Sequence, residues 1–342
     1  MPRVRVLFAV TCFLVLILSL AGSVAFAQNP PSGATDQSEP TETLKVNVNV
    51  VQLFFNVKDK RGALIPNLTK NDFQVFENGK PETIKYFTPE SNLPLTLGIL
   101  IDSSGSQERV LGMEKEIGGA FLSQILTDKD LAFVLDFNVN ANLLQDFTNS
   151  VHLLKVALNS AVINTGGGGG VIPGMGGGPI PTGPQGPRGT VLYDAIYLAS
   201  HDELAQQVGR KAMIILTDGE DEGSQLKIQD AAEAAQKSDS IVYVLLCADR
   251  GFYGFGGYSG EGEMKKLSQE TGGRVIDVGN NADKLKAAFD QIANELRSQY
   301  NIGYTPTNTV KDGSFRKVEI RPSTKDYKVQ ARSGYYAIAS KD

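Results

Sequence analysis

Leu95-Thr96-Leu97-Gly98-Ile99-Leu100-Ile101-Asp102-Ser103-Ser104-Gly105-Ser106 is the stretch on which the reading of this chain turns. Its first seven residues form an apolar run with the length and composition of a buried strand. Asp102, Ser104 and Ser106 follow at D-x-S-x-S spacing, and residues 107–126 read as a helix. One carboxylate and two hydroxyls therefore sit on a strand-to-helix turn. In open α/β sheets such turns line the carboxyl edge, where ligands bind. Oxygen donors of this kind suit a hard cation such as Mg²⁺. Asp, Ser and Gly also fill ordinary turns and helix caps, so the pentapeptide alone does not define a site.

Two later segments complete the pattern. Residues 212–216 are a second apolar strand running straight into Thr217-Asp218-Gly219, and Gly189-Thr190-Val191-Leu192-Tyr193-Asp194-Ala195-Ile196 places a threonine just before a helix. In this order the set resembles the metal-ion-dependent adhesion site of von Willebrand factor type A domains. The phrases GTVLYDAI and LTDGED look like those of exported bacterial members. The resemblance spans residues 93–296. It implies an α/β fold with a doubly wound, mostly parallel, Rossmann-like sheet. It also implies Mg²⁺ (or Mn²⁺, with Ca²⁺ fitting less well), held directly by Ser104, Ser106 and Thr190. Asp102 and Asp218 would accept hydrogen bonds from water on the ion. A metal held mainly by neutral hydroxyls keeps its positive charge and can take an Asp or Glu carboxylate from a partner protein. Adhesion or assembly is the function this implies.

The ends of the chain differ in character from its middle. Arg3 and Arg5 precede an apolar run over residues 6–21, and Ala25-Phe26-Ala27 gives the small-x-small pattern of a signal peptidase site. Residues 1–27 are expected to be a cleaved signal peptide, which places the protein in the periplasm, at the cell surface or outside the cell. An uncleaved membrane anchor is the alternative. Losing the leader takes the formal charge from −5 to about −7, and with no basic patch a nucleic-acid partner is excluded. Cys247 is then the sole cysteine, so an internal disulfide is excluded; it is expected as a small buried hydrophobe. With only His152 and His201 present, a zinc site would need carboxylates almost throughout.

Residues 28–43 read as a disordered linker rich in Pro, Ser and Thr. Residues 44–90 read as the first part of a small antiparallel β module, with strands over 44–57, 73–76 and 83–87 and an Asn78-Gly79 hairpin turn. From residue 93 to 298 strands alternate with helices, which implies a parallel sheet. Within that region residues 164–189 are a Gly/Pro-rich loop that cannot bury a core. Residues 194–208 and 224–237 are expected helices. The loop after the strand at 241–246 carries Phe252, Tyr253, Phe255 and Tyr258 among glycines, a pattern suited to partner binding or to folding down on the domain. Residues 300–340 return to β pattern. They are expected to pair with residues 44–90 in one sandwich, with the α/β domain inserted.

Other acidic residues read as structural. Asp194 suits the start of its helix, Asp136 a cap or turn, and Glu220 and Asp221 a solvated loop. Enzyme signatures fail: the phosphate loop is absent, and Gly257-Tyr258-Ser259-Gly260-Glu261 has Glu where an esterase elbow needs Gly. The chain is therefore expected not to be an enzyme. A structural envelope protein with an inactive metal site and a metal-dependent hydrolase are the competing readings.

Overall fold

The computed structural model describes residues 50–90, 93–163, 189–248 and 260–338. The leader, the linker, most of the Gly/Pro-rich loop and the aromatics Phe252, Tyr253, Phe255 and Tyr258 lie outside the described residues.

Strand β1 (Val51–Lys58) begins the described chain, followed by β2 (Phe73–Glu77), β3 (Lys80–Glu82) and β4 (Ile84–Glu90). The β2–β3 hairpin turns through Asn78 and Gly79, at φ of 47° and 80°. Two consecutive left-handed residues define the turn that matches strand twist, which is why Asn-Gly stands there. The α/β region then runs β5 (Leu95–Asp102), α1 (Leu111–Ile125), β6 (Leu131–Phe137), β7 (Ala141–Thr148), α2 (Val151–Ser160) and α3 (Leu192–Leu198). It continues through β8 (Arg210–Thr217), α4 (Ile228–Lys237), β9 (Ser240–Leu246), α5 (Glu261–Thr271), β10 (Arg274–Asp277) and α6 (Ala282–Arg297). Strands β11 (Gln299–Tyr304), β12 (Phe315–Pro322), β13 (Lys328–Ala331) and β14 (Gly334–Tyr336) close the chain. Among the described residues no helix is long and apolar enough to cross a membrane.

The central sheet has six strands in the order β10-β9-β8-β5-β6-β7. All neighbours are parallel except β7, which runs antiparallel to β6. Every residue of β5 is buried, as a strand covered on both faces requires. Alternation in β8 divides the two cores: Ala212, Ile214 and Leu216 join α1, α2 and α6, whereas Met213 and Ile215 join α3, α4 and α5. Each fully buried Leu, Ile or Phe contributes roughly 1.5–3 kcal/mol. The sheet is doubly wound, and its strand order reverses between β5 and β8.

The flanks pair with each other. One four-stranded sheet has the order β13-β1-β11-β4 and the other β14-β12-β2-β3, so each mixes strands from both ends of the described chain. Their shared core holds Leu53, Phe55, Val57, Phe73, Val75, Tyr300, Ile302, Tyr304, Val318 and Ile320. Phe73 makes an edge contact with Phe55 at 5.1 Å and stacks on Phe87 at 5.6 Å between ring centroids.

Glu295, near the end of α6, fastens the two parts. Its buried carboxylate meets Lys58 Nζ at 2.8 Å, Arg274 Nη2 at 2.6 Å and Gln330 Nε2 at 3.2 Å. Asn56 Nδ2 donates to the carbonyls of Glu295 and Ser298, satisfying groups that a helix C-terminus leaves open. Glu295→Ala is expected to cost about 2–4 kcal/mol, because it strands two largely desolvated cations; urea unfolding measures it. Close approach explains another residue: a Cβ on Gly273 would lie 1.9 Å from the Val242 carbonyl oxygen. Gly273→Ala is expected to lose about 3 kcal/mol or more in the same assay, since β10 could not keep its seat beside β9.

Several elements differ from the sequence reading. The first helix starts at Leu111, after a short 3₁₀ turn over Gly105–Gln107. The expected helix over 194–208 is α3 followed by a widened turn, Ala199–Glu203, and a 3₁₀ turn, Leu204–Gln206. Burial explains the limit: Leu204 is buried, while Val208 is 86% exposed and gives a further turn nothing to pack. The second expected helix begins at Ile228, because Gln225 and Leu226 donate their backbone N–H groups to Asp194. Strand β7 carries no clean alternation; Leu143 is exposed and its pairing with β6 shifts register.

Candidate metal centre

Asp102 ends β5 and Asp218 directly follows β8, so both stand at the carboxyl edge where the strand order reverses. Open α/β sheets hold their ligands in that crevice. The turn after β5 is folded by its own side chain. Asp102 Oδ1 accepts from Ser104 N–H at 2.9 Å, and Asp102 Oδ2 accepts from Thr217 Oγ1 at 2.7 Å. Thr217 Oγ1 in turn accepts from Gly219 N–H at 3.0 Å, so one hydroxyl fixes both strand exits.

The hydroxyls converge. Ser104 Oγ and Ser106 Oγ lie 3.1 Å apart, and Ser106 Oγ donates to Asp218 Oδ2 at 2.5 Å. Asp218 Oδ1 accepts from Glu220 N–H at 3.1 Å. Asp102, Ser104, Ser106 and Asp218 thus form one hydrogen-bonded cluster. Thr190 is brought to the same edge through its backbone. Its carbonyl accepts from Glu222 N–H at 3.1 Å and Gly223 N–H at 3.2 Å. The next residue, Val191, donates to the Asn138 carbonyl, and Asn138 Nδ2 donates to Ser103 Oγ at 2.8 Å.

Two acidic side chains share the cluster. Burial and the neighbouring charge of Asp218 push the Asp102 carboxyl well above its usual range. Two carboxylates, two serine hydroxyls and no thiolate make a hard donor set. Among the described residues no group of three or more His, Cys, Asp or Glu forms an alternative metal cage. In donor chemistry the residues present fit a hard divalent ion, whose charge would offset that of the Asp pair.

Several contributing residues carried no motif. Thr217 stands next to the flagged Asp218, yet nothing in its sequence setting distinguishes it from a strand residue. Ser103 Oγ donates to Asp136 Oδ2 at 3.0 Å, and Asn142 Nδ2 donates to Asp136 Oδ1 at 2.9 Å, so Asp136 braces the turn rather than capping a strand. Asp194 does more than favour its helix dipole, since it holds the 225–226 backbone. Glu220 and Asp221 are not merely solvated: Glu220 Oε1 accepts from Gly260 N–H at 3.0 Å, and Asp221 Oδ1 accepts from Ser224 Oγ at 2.6 Å. Cys247 is buried as expected, but a carboxyl lies beside it. Glu114 of α1 is fully buried, and desolvation lifts its pKa to about 8 against the opposing effect of the neighbouring Cys247 thiol.

The doubly wound sheet with an Asp-and-hydroxyl cluster in its switch-point crevice defines the class of fold. Among solved structures, the chain is similar to von Willebrand factor type A from Catenulispora acidiphila, at 13% identity over 87% of this chain and 76% of that one, with a TM-score of 0.46. It is also similar to the conserved hypothetical protein BatB from Bacteroides thetaiotaomicron, at 21% identity over 60% of this chain and all of that one, TM-score 0.44. A third is proximal thread matrix protein 1 of the mussel byssus with a zinc-occupied MIDAS motif, at 13% identity over 63% of this chain and 48% of that one, TM-score 0.45. No protein-family model matches the chain, and no curated protein matches it.

Proposed function

We infer that this is an exported von Willebrand factor type A protein that binds a partner protein through a divalent cation, Mg²⁺ or Mn²⁺. The observation that carries the reading is the buried Asp102–Asp218 pair at the switch point, with Thr217 donating to Asp102 and Ser106 donating to Asp218. Like charges so placed are stabilised by a cation between them. Ser104, Ser106 and Thr190 would hold the ion, and Asp102 and Asp218 would accept hydrogen bonds from its water. Bound there, it would offer an electrophilic position to an Asp or Glu of the partner. The chain's own part is to fix the hydroxyls, keep the carboxylates poised and hold the crevice open at the sheet edge. The signal-like leader supports an exported protein, and the mussel protein's occupied motif is in keeping with a metal at this position.

Binding rather than catalysis suits the residues at hand. His201 is exposed and paired with Asp202 on the turn after α3, and His152 is exposed on α2; neither belongs to the hydrogen-bonded cluster. Calorimetric titration of the purified protein with Mg²⁺ and Mn²⁺ tests the metal. Capture of partners from envelope extracts with and without EDTA tests the rest. Saturable 1:1 metal binding and EDTA-sensitive capture are expected; no heat at millimolar Mg²⁺ would leave an inactive site as the better reading.

A further inference from the structure

Gln107, one residue beyond the D-x-S-x-S turn, is fully buried. Its Nε2 donates to Asp218 Oδ2 at 3.0 Å, the same oxygen that accepts from Ser106 Oγ at 2.5 Å. Its own Oε1 is buried and has no hydrogen-bond partner. The amide cannot be turned round to relieve this, because Oε1 would then face a carboxylate oxygen. A buried carbonyl oxygen without a donor is uncommon and calls for an explanation. Here the explanation is local, since Oε1 belongs to the same planar group that grips Asp218, at the edge of the cation crevice.

We propose that Gln107 is a positioning residue of the metal centre: its Nε2 orients Asp218 and its Oε1 accepts a hydrogen bond from water on the bound ion. The inference rests on the metal-binding reading of the site. The chemistry matches on both sides. A carboxylate held by two donors on one oxygen keeps a fixed orientation, so its other oxygen is directed by the turn at Glu220. Water on a divalent ion is a stronger donor than bulk water and would satisfy the open acceptor. Outer-shell residues of this kind orient what the ion sees and alter affinity when removed. Mg²⁺ keeps several waters and gives them up reluctantly, whereas Ca²⁺ exchanges them for protein oxygens. The residue should therefore favour Mg²⁺ over Ca²⁺.

The test is calorimetry of the full chain with MgCl₂ and with CaCl₂, on wild type, Gln107→Met and the control Asp102→Ala. The expected result is Mg²⁺ binding about tenfold weaker in Gln107→Met, a smaller loss for Ca²⁺, and a modestly lower unfolding midpoint without metal, from the lost bond to Asp218. A purely packing role would also lower that midpoint but leave the ion preference unchanged. Wild-type Mg²⁺ affinity in Gln107→Met, with binding abolished in Asp102→Ala, would overturn the inference and keep the site. Binding unaffected by Asp102→Ala would overturn both. A second measurement needs no variant. In ¹⁵N-labelled wild type, the Gln107 carboxamide signals should shift as Mg²⁺ is added and exchange more slowly with water; signals that stay in place overturn the proposal.

Discussion

Asp102→Asn is expected to weaken Mg²⁺ binding about 100-fold while making the metal-free protein more stable. Both effects have one origin. Asp102 is fully buried, and the charge of Asp218 lies close enough to raise its pKa further. Without a cation, folding has to tolerate that proximity; with one, the two charges would become the reason for binding. Asparagine keeps an oxygen for the Ser104 N–H and offers Thr217 Oγ1 a donor in place of an acceptor, so the turn survives. What disappears is the charge. A stabilised protein that has lost its metal is the usual trade at a functional site. Urea unfolding with EDTA, set beside calorimetry, reads the two quantities separately. A variant less stable than wild type in EDTA would show that Asp102 serves the fold and not an ion.

The second large effect concerns pH and lies one layer deeper. Glu114 has a pKa near 8 in the folded protein against an ordinary 4.5, chiefly through desolvation, with Asp102 and Asp218 adding to it. The folded state therefore holds the proton more tightly than the unfolded chain. Its contribution is fully present below about pH 4.5 and is lost progressively as pH rises toward 8. Glu114→Gln has no proton to lose. Relative to wild type the variant should gain stability with increasing pH, reaching on the order of 4 kcal/mol by pH 9. Denaturant unfolding at pH 5, 7 and 9 measures the difference. A constant offset between the two proteins at all three values would mean that Glu114 keeps its charge state throughout.

How legible the molecule was depends on where the information resides. The doubly wound sheet could be read because β5, β8 and β9 are short and carry apolar runs at their centres, a pattern that burial on both faces produces directly. Residues 285, 289, 292 and 296 of α6 recur at helical spacing, and all four are buried. Strand β7 escaped because an edge strand with an irregular register has no period to detect. Four of the five residues expected to form a metal site meet in one cluster because motif spacing on strand exits fixes where they land. Thr190 reaches the edge through backbone bonds, which no side-chain pattern encodes. The roles of Thr217, Asp136 and Gln107 were hidden for a related reason: each bonds a neighbour's side chain, and that neighbour arrives only when separate strands are laid side by side. Glu114 is the sharpest case, since an acid within a helix reads as exposed until its surroundings are known.

The ladder joining β4 to β11 has a mechanical meaning. Glu90 and Gln299 are opposite one another in register, and they are the last and first residues of the strands that lead into and out of the α/β domain. Tension entering through β1 and leaving through the strands after β11 would be carried across that ladder and the adjoining β1–β11 pairing. Asp102 and Asp218 sit at the carboxyl edge of the central sheet, away from the end of β5 at which the chain enters the α/β domain. Stretching of the chain would leave the geometry of Asp102 and Asp218 undisturbed until the shear bonds between β4 and β11, and the Glu295 contacts to β1 and β13, gave way.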